Sequence, residues 1–128
     1  MGPTVQTLQT ALANYVAKNI LDYKETYDDC RVKETFLLPQ PTELSEWDLQ
    51  ALLKVCIEKK VESAQAILEL RNNWAHLQYQ KFNGKDEWIV ASTFCSYLKE
   101  TPSAEELFKA KTSNYTIQQL SNIRIEYN

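Results

Sequence analysis

Glycine is almost absent from this chain: Gly2 and Gly84 are the only two in 128 residues. Tight hairpins and phosphate-cradling loops need glycine where φ is positive, so a sheet-rich fold and a Gly-rich nucleotide loop both lose their usual means of construction. Histidine is scarcer still, with His76 alone, and Cys30, Cys56 and Cys95 stand far apart with no C-x-x-C pair. A transition-metal centre or a disulfide framework therefore has no ligand spacing to rest on, and no metal or cofactor is expected. No apolar run approaches the roughly 18 residues of a membrane span, and the N-terminus has no basic stretch leading into an apolar one. These absences predict a soluble, unsecreted chain of the nucleus or cytoplasm with reduced thiols.

Apolar residues make up 44% of the chain and charged residues 24%, which at this length suits one domain, residues 1–128, with a single real core. Fourteen Lys and Arg against 17 Asp and Glu exclude a surface that is a nucleic-acid footprint throughout, while leaving room for a local patch. Charge is unevenly spread. Residues 22–48 hold eight acids against three bases, and residues 54–85 hold six bases against three acids. That asymmetry fits ordinary solvated helix faces, or a polyanion site near residues 71–85.

Val5, Leu8, Leu12, Tyr15, Val16, Ile20, Tyr23 and Tyr27 recur at spacings of three and four, which predicts one helix over residues 4–27. Residues 28–44 lose the period and contain Pro39 and Pro41, predicting a long loop with a short extended piece at 35–38. Ser45, with Asp48 three residues on, suggests an N-cap for a second helix running to about Glu58. A third begins near Val61 and meets no stop before His76. Asn83-Gly84 is a turn signal, and Asp86 and Glu87 suit the start of a fourth helix carrying Trp88, Ile89, Ala91, Phe94, Cys95 and Leu98. Thr101-Pro102-Ser103 closes it and caps a short fifth, with Ser103 and Glu106 in the capping-box relation. The tail from 112 to 128 fits helix and strand equally. The fold expected is all-α, a bundle of four main helices with a C-terminal extension over 101–128.

Chemistry concentrates in Glu69-Leu70-Arg71-Asn72-Asn73-Trp74-Ala75-His76. Arg71 is a permanent cation whose planar fork matches phosphate oxygens, and His76 can take or give a proton near neutral pH. Together they could act on a phosphodiester without a metal. His76 would abstract a ribose 2′-hydroxyl proton or protonate the leaving oxygen, Arg71 would stabilise charge on the phosphate, and Asn72 would orient either group. Five residues at about 100° each separate Arg71 and His76 by about 140° on a continuous helix, so they do not share a face. Either the helix is interrupted at Asn72-Asn73, or a second copy completes the cleft across a two-fold axis. The plainer reading keeps His76 at a surface helix end and pairs Arg71 with Glu69, Asp48 or another acid.

Arg71-Asn72-Asn73-Trp74-Ala75-His76 resembles the arginine, polar residue, histidine signature of HEPN domains, and the context resembles it too: a long first helix containing Tyr15-Val16, then Trp47-Asp48-Leu49-Gln50-Ala51-Leu52-Leu53 opening the second. The likeness covers about residues 4–100. It is similar to the subgroup found at the C-terminus of a nuclear transcript-surveillance endoribonuclease and at the N-terminus of some prokaryotic defence proteins. The resemblance implies an up-and-down helical domain that dimerises and acts on single-stranded RNA. In many members it is a metal-independent endoribonuclease, here with Arg71 and His76 as catalytic residues and Asn72 as their companion. It equally implies a non-catalytic dimerisation or protein-interaction module beside a separate PIN nuclease domain. Tyr79, Lys81 and Lys85 are the candidate RNA contacts, while Trp74 and Trp88 are expected in the core or a subunit interface. Gln78 stands two residues after the histidine, where some HEPN toxins carry a modifiable tyrosine.

Overall fold

The structure, a computed structural model, describes residues 3–76 and 85–112, with side chains described over 6–72 and 90–107. Six α-helices follow one another among the described residues: α1 (Pro3–Asn19), α2 (Tyr23–Lys33), α3 (Leu49–Glu58), α4 (Ala64–His76), α5 (Lys85–Tyr97) and α6 (Thr101–Thr112), with a 3₁₀ turn at Leu44–Glu46. No strand occurs among the described residues, which are all-α as the composition predicts. The count exceeds by one the four main helices and short fifth expected. The predicted helix over 4–27 is two helices, joined by a turn at residues 20–22 in which the Tyr23 N–H donates to the Ile20 carbonyl at 3.2 Å. The turn keeps the phase of the apolar stripe: Ile20 and Tyr27 are both buried while Leu21 is thrown outward, so spacing alone cannot reveal the break.

α3 packs against three other helices. Leu49, Ala51, Leu52, Leu53, Val55 and Cys56 are buried on more than one side of it, against α1, α2 and α4. Its N-cap is Asp48, not Ser45, which lies in the preceding 3₁₀ turn. The Asp48 Oδ1 accepts the Ala51 N–H at 2.7 Å, while Gln40 donates to its Oδ2 and accepts from its backbone N–H. A carboxylate at this position satisfies an otherwise orphaned helix donor. α3 and α5 both end in a left-handed residue with no glycine to supply it. Lys60 (φ 61°) and Lys99 (φ 64°) take that place. The Lys60 and Val61 N–H groups donate to Ile57 and Cys56, and those of Lys99 and Glu100 to Ser96 and Cys95, each a Schellman closure.

The short helix expected after Leu98 is present as α6, with a different cap. α6 starts at Thr101, with Pro102 in the first turn where no intrahelical N–H is required, so Ser103 is inside the helix and not its cap. α6 packs on α5 and α1, burying Ala104 and Leu107, and the buried Ser92 hydroxyl donates to the Ala104 carbonyl at 2.8 Å. The expected extended piece at 35–38 is irregular chain without strand pairing. The Asn83-Gly84 turn and the ambiguous tail from 113 onward lie outside the described residues.

Candidate functional site

α4 follows Ser63, whose carbonyl accepts the Ile67 N–H at 3.2 Å. Ala64, Ile67 and Leu68 are buried, and Arg71 follows them at the three-, four- and seven-residue spacing of the same face. Arg71 thus continues the core stripe of α4 where the stripe reaches half-buried surroundings. Its Nη1 donates to the Asn72 Oδ1 at 3.2 Å. Neither proposed acid partner is used: Glu69 is exposed, Asp48 is occupied as the cap of α3, and among the described residues Arg71 forms no ion pair.

The backbone of α4 runs unbroken through Asn72-Asn73 to His76. An interruption that would turn Arg71 and His76 toward each other is therefore not present, and the separation of about 140° of a regular helix applies. Of the sequence-predicted set, the structure brings together Arg71 and Asn72. The His76 side chain, Tyr79, Lys81 and the Lys85 side chain lie outside the described residues, although the Lys85 backbone opens α5.

The basic stretch is partly consumed by the fold. Lys54 pairs with Glu34 at 2.8 Å and Lys59 with Asp22 at 2.7 Å, while Lys33 pairs with Glu58 at 2.7 Å. All three pairs tie α2 and its flanks to α3 and its C-terminus. Hydrogen bonding from Lys59 holds the Asp22 carboxyl below its ordinary value, and Lys33 does the same for Glu58. Cys30, Cys56 and Cys95 are free and buried. Burial pushes the Cys56 and Cys95 thiols up to about 12 and raises Cys30 as well, so none of them stands ready as a thiolate nucleophile. No group of three or more potential metal ligands occurs among the described residues, and no described helix is long and apolar enough to cross a membrane.

Sequence reasoning missed a second feature. Between α2 and residues 39–42 lies a recess of about 270 Å³, with Lys24, Tyr27, Arg31, Gln40, Pro41 and Trp47 in its lining. The Tyr27 hydroxyl donates to the Leu38 carbonyl at 2.6 Å and Trp47 Nε1 to the Pro41 carbonyl at 2.8 Å, fastening the proline-containing segment to α2 and α3. Its only sequence signal is two prolines flanking Gln40 between a tyrosine and a tryptophan. Comparisons of the chain with family models, curated proteins and solved structures give no match.

Proposed function

We propose that the protein binds single-stranded RNA at the Arg71–His76 end of α4 and cleaves it without a metal, in a cleft shared by two copies of the chain. The observation that supports this reading is Arg71: half-buried, donating to the Asn72 side-chain oxygen and in no ion pair with a described carboxylate, it carries a planar cationic fork of the kind that suits a phosphate. On an unbroken α4, His76 belongs to a different face, so a site using both is best built from two copies across a two-fold axis. In that arrangement His76 handles the 2′-hydroxyl or leaving-group proton, Arg71 offsets charge on the phosphate, Asn72 orients it, and Tyr79, Lys81 and Lys85 hold the flanking strand. The parent role we favour is that of the HEPN domain of the nuclear transcript-surveillance endoribonuclease called synthetic lethal with TREX.

The experiment is incubation of single-stranded RNA with the purified protein in excess chelator, beside Arg71→Ala and His76→Ala. Cleavage by wild type that both variants lose supports the proposal. Equal background in all three rejects catalysis and leaves a second reading, a dimerisation or interaction module beside a separate nuclease domain. The net negative charge of the chain favours that second reading.

A further inference from the structure

Five large apolar side chains are exposed among the described residues, and three of them fall within seven positions: Val32 at 80%, Phe36 at 63% and Leu38 at 67%. Single exposed apolar residues are ordinary, but a cluster calls for an explanation. This one is held in place. Arg31 Nε donates to the Leu37 carbonyl at 3.2 Å, Tyr27 donates to the Leu38 carbonyl, and buried Leu37 anchors the chain between its two exposed neighbours. Lys54, fixed by Glu34, stands 5.9 Å from the Phe36 ring centroid. Anchors fixed before binding lose little conformational freedom when a partner arrives.

The charge around them has one prevailing sign. Glu25, Asp28 and Asp29 share the face of α2 that carries Val32, at helical spacings of three and four, and Glu43 and Glu46 follow the pinned segment. All five are exposed, and among the described residues none is in an ion pair. Of the cations on this side, Lys33 and Lys54 are paired with Glu58 and Glu34, which leaves Lys24 and Arg31 outside any described ion pair against the five carboxylates. The recess between α2 and residues 39–42 adjoins the pinned segment and adds a concavity for an inserted side chain.

We propose that α2 and the segment to residue 43 form a docking surface for a basic segment of another protein, one carrying apolar anchors for Val32, Phe36 and Leu38 and lysines or arginines for the carboxylate rim. A second copy of this chain fits poorly, because a two-fold axis would set these carboxylates against their own equivalents. The surface lies on a different element from Arg71, so it stands independently of the RNA reading.

The test is selection of a random phage-displayed peptide library on the whole protein, with counter-selection on the Phe36→Ser/Leu38→Ser variant. The best enriched peptide is then titrated by fluorescence anisotropy and its footprint mapped by amide NMR shifts. The expected peptide is basic with apolar anchors and shifts residues 25–43. It binds about tenfold or more weakly to Phe36→Ser/Leu38→Ser and to Asp28→Lys/Asp29→Lys, and loses affinity as salt rises. No enrichment, enriched peptides without basic residues, or a footprint elsewhere would overturn the proposal, as would sedimentation showing self-association that Phe36→Ser abolishes. The wild-type NMR footprint decides the matter even where a variant folds poorly.

Discussion

Trp47 shows how much one side chain organises here. Its ring meets Tyr23 edge-on at 5.4 Å and Tyr27 at 5.0 Å, its Nε1 donates to the Pro41 carbonyl, and its own carbonyl accepts from Gln9 on α1. A packing role for Trp47 at a helix start could be read from the sequence. Its partners could not, because they come from α1, α2 and the proline segment, which only the tertiary fold assembles. The thiols give a prediction at this scale. Cys56 and Cys95 stay protonated in the folded chain up to about pH 12, from an ordinary value of 9.0. An unfolded chain releases those protons nearer pH 9, so the folded state holds more protons between the two values and its stability falls as pH rises through that window. The stabilisation is complete below pH 9. Urea melts should therefore hold their midpoint up to about pH 9 and lose it from there to about pH 11, and a Cys56→Ala/Cys95→Ala variant should lose less over the same range. At pH 8, a disulfide-exchange reagent should modify these thiols no faster than the protein unfolds.

Element boundaries were legible where a local chemical signal exists and hidden where it does not. α3 ends at Glu58 as its apolar period implies, whereas the break between α1 and α2 has neither glycine nor proline and preserves the stripe. Ser45 and Ser103 are plausible caps by residue type, yet Asp48 and the chain around Glu100 occupy the cap positions, because the preceding Schellman turn and the Gln40 contacts decide where the helices start. The two lysines at left-handed positions expose a consequence of glycine scarcity. A side chain with Cβ in that conformation costs about 1 kcal/mol, so Lys60→Gly and Lys99→Gly should each stabilise the fold by about 0.5–1 kcal/mol, read as a higher urea midpoint at unchanged slope. A loss of stability in both would show that the lysine side chains contribute more than the backbone conformation costs. Asp48→Ala should act in the opposite direction, costing about 1 kcal/mol or more, since the Ala51 N–H loses its acceptor and Gln40 loses a partner.

At the scale of the molecule, composition and periodicity sufficed for an all-α chain, but not for its layout, in which α3 sits among α1, α2 and α4 while α5 and α6 close over α1. The resemblance stops near residue 100, which made the short helix beyond it look like an extension, although Leu107 is buried at 1% exposure. Leu107→Ala should accordingly cost about 2–5 kcal/mol in a urea melt, the range for a core leucine, where an appendage would lose almost nothing. The candidate site is half legible in the same sense: residue types suggested Arg71, Asn72 and His76, while unbroken coiling through Asn72-Asn73 raises the requirement for a second copy. That requirement is best tested by mixing. Arg71→Ala and His76→Ala, each inactive alone on single-stranded RNA in chelator, should regain about a quarter of wild-type activity when unfolded together and refolded, because half of the reassembled pairs hold one intact site of the two. Wild-type cleavage with no recovery in the mixture would contradict a cleft shared between copies.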